Sequence, residues 1–302
     1  MAAAPEVGCG VRRWLAGIAV LCASPVWAAT YFVTVAGLGG EPEYEKRFQL
    51  WAQEIERVLK SDREARVGTL SGARSTRENV RATLERIRAE ATASDALVLM
   101  LIGHGTYDGL DYKINLPGPD LTAAELAALL DRIPAGRQLV VNMTSASGGA
   151  SDVLARPTRA VISATKSGTE KNATIFARYW VEALSGEAAD FDKNQTISAA
   201  EAFRYAKEKT ARFYESERRL ATEHPVLNGE AAASGFVLVR HGATAAFASD
   251  PAKRKLLARR EELEQQIDKL KLAKAAMPAA DYKKQIAALL VELARTQEEL
   301  EK

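Results

Sequence analysis

The sequence predicts an α/β fold: a mostly parallel six-stranded sheet covered by helices on both faces, followed by a C-terminal α-helical hairpin. Three observations predict it. Short apolar runs rich in β-branched residues alternate with stretches of helical spacing through the first 240 residues. Most of the runs are continuously apolar instead of alternating, which is how strands buried on both faces read. From Asp250 onward the composition shifts to Ala, Leu, Lys and Glu, with apolar residues every three or four positions.

The elements follow in order. "TYFVTVAG" (Thr30 to Gly37) is the first strand, and "YEKRFQLWAQEIERVL" continues with helical spacing. "ARVGTL" is a weaker second strand. Ser75 and Glu78 are spaced as a capping box that opens a helix through "STRENVRATLERI". "ALVLMLI" (Ala96 to Ile102) is the third strand. Thr122 and Glu125 form a second capping box for a helix to about Leu130. "RQLVVNM" is the fourth strand, "RAVISAT" (Arg159 to Thr165) the fifth, and "GFVLVR" (Gly235 to Arg240) the sixth. In the tail, Leu256, Leu263, Ile267 and Leu270 mark one helix; Met277-Pro278 interrupts it; Tyr282, Ile286, Leu289, Leu293 and Leu300 mark another. This is a coiled-coil hairpin over residues 250–302, suited to packing or self-association.

Residues 1–28 read as an export signal. Arg12 and Arg13 precede the apolar "WLAGIAVLCASPV", and "VWA" ends at Ala28 before a cut. The alternative is an N-terminal membrane anchor, which applies only if the signal stays uncleaved. The expected location is periplasmic or secreted, and the main domain then spans 29–247. Both cysteines, Cys9 and Cys22, lie in the signal, so the mature chain has no thiol for a disulfide, a metal or a nucleophile. With 41 Lys and Arg against 39 Asp and Glu, the net charge of +2 gives no electrostatic case for nucleic acid.

The chemistry concentrates at strand ends, where open parallel sheets place their ligand sites. "LVLMLIGHGTYDG" ends the third strand in His104 between two glycines. A histidine there serves as general base, and the Gly105 N–H is placed to face an oxyanion. "TSASGG" (Thr144 to Gly149) follows the fourth strand, so Ser145 is the partner of His104 by position, with Ser147 and Ser163 as secondary nucleophiles. Asp108 and Asp111 read as turn caps. His224 and His241 stand alone and read as surface or turn residues.

These motifs resemble the caspase/legumain group of cysteine peptidases, legumain above all, over roughly Thr30 to Gly229. In that group a strand ends in His-Gly and the next ends at the nucleophilic Cys, within Ala-Cys-x-Ser-Gly in legumains. Here Thr144-Ser145-Ala146-Ser147-Gly148 puts Ser145 in the place of Cys. The group's Val-Ala-Gly-Ser-Asn-Gly, whose Asn orients the histidine, appears as Val35-Ala36-Gly37-Leu38-Gly39-Gly40, with Gly39 in place of Asn. The resemblance implies a caspase-like three-layer sandwich and a peptide or protein as ligand. It also implies substrate contacts in "ATKSGTEKNAT", with Lys166, Glu170, Lys171 and Asn172 offering mixed polarity. A serine hydroxyl is far harder to ionise than a thiol, so the expectation is a peptidase-family domain with weak or absent activity. The alternatives are a Ser145/His104 hydrolase and an assembly module working through the hairpin.

A second constellation is "DFDKNQTISAAE", Asp190 to Glu201. Asp190, Asp192 and Asn194 occupy loop positions one, three and five; Thr196 is at seven, Ser198 at nine and Glu201 at twelve. This resembles an EF-hand loop, with oxygen ligands suited to Ca²⁺. Gln195 replaces the glycine at position six, where positive φ costs a side chain about 1 kcal/mol. The other reading is a polar turn followed by a Ser198–Glu201 capping box.

Overall fold

The computed structural model describes residues 28–62 and 64–302. The proposed signal up to Trp27, with both cysteines, lies outside the described residues. The chain runs β1 (Thr30–Ala36), α1 (Pro42–Leu59), β2 (Arg66–Leu70), α2 (Arg77–Glu90), β3 (Ala96–Ile102), β4 (Gly105–Tyr107), β5 (Tyr112–Ile114), β6 (Leu121–Thr122), α3 (Ala123–Asp131), β7 (Arg137–Asn142), α4 (Ser151–Leu154), β8 (Arg159–Ser163), α5 (Phe176–Ser185), β9 (Thr196–Ser198), α6 (Ala199–Ser216), β10 (Val226–Asn228), α7 (Glu230–Ala233), β11 (Val237–Arg240), α8 (Gly242–Ser249), α9 (Arg254–Leu272) and α10 (Ala279–Glu301).

Six strands form the main sheet in the order β10-β8-β7-β3-β1-β2. All neighbours are parallel except β10, which runs antiparallel to β8. β3 is buried at every position, with Val33 opposite Leu99 on one side and Val140 opposite it on the other. Continuous apolar strands demand cover on both faces, and helices supply it. Phe48 and Ile55 of α1, Phe176 and Trp180 of α5 and Tyr205 of α6 pack on one face. Val80 and Leu84 of α2, Leu126 and Leu130 of α3 and Leu154 of α4 pack on the other. The result is three layers, α/β/α.

Two local expectations are corrected. The last predicted strand does not join the main sheet. Val237–Arg240 pairs antiparallel with Thr196–Ser198 in a separate ribbon, and Val226–Asn228 closes the sheet edge instead. A bulge between Val237 and Val239 bends that ribbon. The helix expected to be capped by Ser75 is capped one residue later: the Thr76 hydroxyl accepts from the Asn79 N–H, while the buried Ser75 hydroxyl donates to the Gly72 carbonyl.

The C-terminal segment is the expected hairpin, and it is docked. Glu261 of α9 pairs with Arg240, Gln265 donates to the Gly235 carbonyl, and Arg260 donates to the Asn194 carbonyl at 3.0 Å. α10 packs along α9. No helix among the described residues is long and apolar enough to cross a membrane.

Candidate functional site

The sheet order makes β3 and β7 neighbours, so the residues that follow them meet at the carboxyl edge. β1 also ends there: the Gly37 N–H donates to the Ile102 carbonyl at 2.8 Å, beside the turn that carries His104. Between β1 and β3 the strand order reverses, the place where open sheets leave a crevice. β4 to β6 form a small antiparallel sheet that rises from His104 and overlies this edge.

His104 is half-buried, with its ring edge-on to Tyr44 and Phe48 at centroid distances of 4.9 and 5.2 Å. Burial holds its pKa below the usual histidine value, against a hydrogen bond with the Gly39 backbone that favours the charged ring. Favouring the charged form requires a ring N–H that donates, so the Gly39 carbonyl is the acceptor. The Gly39 N–H is spent on Glu45 at 2.9 Å. The contact at position 39 is thus made by backbone, with no side chain there.

Ser145 is 2% exposed. Its hydroxyl accepts from the Gly105 N–H at 3.0 Å and donates to the Gly105 carbonyl at 3.1 Å. Two expectations change here. The Gly105 N–H is engaged by the Ser145 oxygen and does not present an open oxyanion donor, and the Ser145 proton is directed at a carbonyl and not at the His104 ring. Below the loop, the Tyr112 hydroxyl bonds Asn142 and Thr144 in a buried cluster, and burial pushes its pKa up to about 12. Tyr107 closes the flank: a Cβ at Gly149 or Gly168 would meet its ring at 2.8 or 2.3 Å. The secondary candidates are also occupied. Ser147 bonds Thr165 and Ser163 bonds Ser151, all buried. Asp108 caps its turn through the Leu110 and Asp111 amides, and Asp111 contributes its own amide to that turn.

The expected substrate-facing segment is only partly free. Lys166 and Asn172 are exposed, but the Glu170 carboxylate turns inward, accepting from the Lys166 and His224 amides and pairing with the His224 ring. The Glu170 carbonyl takes the Ala146 N–H at 2.8 Å. Glu170 is thus a strut between the Ser145 loop, its own loop and the 219–225 segment, and His224 is not a solitary surface residue. The adjacent Glu223 is buried and caps α5 through the Ile175 and Phe176 amides; burial pushes its pKa up to about 7. His241 precedes α8 and donates its amide to the Gln195 carbonyl.

The loop from Asp190 to Glu201 gathers its acids. Carboxylate oxygens of Asp190, Asp192 and Glu201 lie within 4.8 Å of one another. Gln195 adopts φ +65°, the left-handed conformation that position six of such a loop takes, and Lys193 is also left-handed at φ +61°. The Asp190 carboxylate accepts from the Asn194 and Gln195 amides. Ile197 is fully buried in β9. Thr196 donates to Asn194, and Ser198 with Glu201 forms a reciprocal capping box. Desolvation, and then the charge of Glu201, raises Asp192 to about 6. The sequence pattern did not point to Glu264 of α9, which accepts from the Asn194 amide group at 3.1 Å and is raised to about 7, first by desolvation and further by Asp192. Hard oxygen donors around a negative pocket fit Ca²⁺ in chemistry.

No family model and no curated protein matches the chain. Among solved structures, the chain is similar to a protein from Geobacter sulfurreducens at 14% identity and TM-score 0.46, over 67% of this chain and 92% of that one. So slight a likeness decides nothing about function.

Proposed function

We propose that the chain is an exported, diverged relative of the caspase/legumain peptidases that binds peptide or protein without cleaving it, and that carries a Ca²⁺ loop beside its C-terminal hairpin. The single observation that carries this reading is the double hydrogen bond between the buried Ser145 hydroxyl and the Gly105 backbone. A nucleophile needs its proton aimed at the base and its oxygen free to attack; this one has neither. One observation favours the rival serine hydrolase: burial lowers the His104 pKa, so the ring is neutral at pH 7 and able to accept a proton.

A fluorophosphonate probe separates the two. The full chain is expected to show no labelling above that of its Ser145→Ala variant, and no hydrolysis of a mixed peptide library. Stoichiometric labelling that disappears in both Ser145→Ala and His104→Ala would establish the hydrolase and end the binding-only reading.

A further inference from the structure

α10 carries two faces. Ile286, Leu289, Leu293, Thr296 and Leu300 are half-buried or buried along the α9 side. The outer side, from the groove edge at Leu290 round to Val291, is exposed yet apolar at its centre: Leu290 is 49% and Val291 53% exposed, flanked by exposed Ala287 and Ala294. Lys283 lies on the same side towards the N-terminus and Glu298 towards the C-terminus, both exposed. The steps from Lys283 to Ala287, Leu290, Val291, Ala294 and Glu298 are four, three, one, three and four, a stripe at helical spacing. Leu290 and Ala294 also form one wall of a groove of about 400 Å³, shared with Phe247, Arg260 and Leu293.

The stripe is palindromic about the Leu290–Val291 bond. Reversed onto itself, it sets Leu290 against Val291, Ala287 against Ala294, and Lys283 against Glu298. Such a match of apolar centre and opposite charges at the two ends is what a twofold interface requires, because the same patch must be complementary to its own inverted copy. An unrelated partner would impose no such symmetry. We propose that the outer face of α10 binds a second copy of this chain, the two α10 helices packing antiparallel across a twofold axis beside Leu290 and Val291. The small Ala287 and Ala294 permit close helix approach, and two Lys283–Glu298 pairs fix the direction and register. Among the described residues Glu298 pairs with the exposed Lys302, a contact that yields readily.

Sedimentation of the full chain over a range of concentrations tests this. A reversible dimer is expected. Leu290→Glu places a carboxylate at the axis and should raise the dimer dissociation constant about a hundredfold or more; Val291→Glu, which lies outside the groove, should do the same while leaving the melting temperature of the dilute monomer unchanged. Lys283→Glu and Glu298→Lys should each weaken the dimer about threefold to tenfold, and the double variant K283E/E298K should return to within about twofold of the parent. A chain that stays monomeric at all concentrations, a dimer indifferent to Leu290→Glu, or a double variant as weak as both singles combined would each overturn the proposal.

Discussion

Gly39→Asn is expected to lose about 2–3 kcal/mol of folding stability, read as a fall in denaturation midpoint at unchanged slope. By resemblance this substitution restores the asparagine that orients the histidine in legumains. The local geometry forbids it. A Cβ at Gly39 would lie 2.3 Å from the Glu45 nitrogen and 2.6 Å from its Cα. Those atoms are backbone in the first turns of α1, so no side-chain rotation relieves the overlap. The helix start must move, and with it Tyr44, which lies against the His104 ring. Gly39→Ala should therefore cost nearly as much as Gly39→Asn, since both add the same Cβ. For the same reason a thiol introduced by Ser145→Cys should gain no reactivity from Gly39→Asn. A Gly39→Asn variant as stable as the parent, with a faster-reacting thiol at position 145, would show that the start of α1 accommodates the added side chain and that the ring responds to it.

That contrast marks what a sequence reading can and cannot reach. β1, β3, β7 and β8 were legible because strands buried on both faces must be apolar throughout, and a run such as Ala96 to Ile102 has few other uses. β10 was not: three residues at a sheet edge carry no periodicity. "GFVLVR" read as a strand because it is one, but apolar content does not say which strand it pairs with, and it joined β9. Ser75 and Thr76 are both hydroxyl residues before a helix, and only the fold decides which one caps. At the candidate site, motif spacing placed His104 and Ser145 on neighbouring strand ends. It missed every link made by backbone or across long separations: the Gly39 carbonyl, the Gly105 clasp on Ser145, and the Glu170–His224 pair 54 residues apart. The acidic loop was legible because its donors are contiguous. Glu264 was not, because it arrives from α9, 70 residues beyond Asn194.

Ca²⁺ should raise the melting temperature of the folded chain by about 5–10 °C at a hundredfold excess over its dissociation constant, the equivalent of about 2.7 kcal/mol of binding to the native state alone. Mg²⁺ should do much less, because it disfavours a bidentate carboxylate in a large flexible cage. The electrostatics supply a sharper test. Without an ion the folded loop holds three carboxylates within 4.8 Å, and Asp192 is raised to about 6. An acid whose pKa is higher in the folded than in the unfolded state binds protons preferentially on folding, so its effect on stability is unfavourable above the folded pKa and fades as pH falls through it. In chelator, stability should therefore rise as the pH falls from about 7 towards 5, with Glu264 and Glu223, both raised to about 7, adding to the same trend. Saturating Ca²⁺ should remove the Asp192 share, since the cation now favours the charged carboxylate. Asp192→Asn is the cleanest variant: one side-chain oxygen can still accept the Asn194 amide, but the charge is gone. It should melt at least as high as the parent in chelator and clearly below it in Ca²⁺. Glu201→Gln should also lose the Ca²⁺ response, yet it melts lower in both conditions because Glu201 additionally accepts from the Phe191 and Ser198 amides. A mere polar turn with a helix cap predicts the opposite pattern: no difference between Ca²⁺ and chelator for the parent, and the same offset for Asp192→Asn in both. The crossing of the two Asp192→Asn curves thus distinguishes a cation site from a turn even where the absolute shift is small.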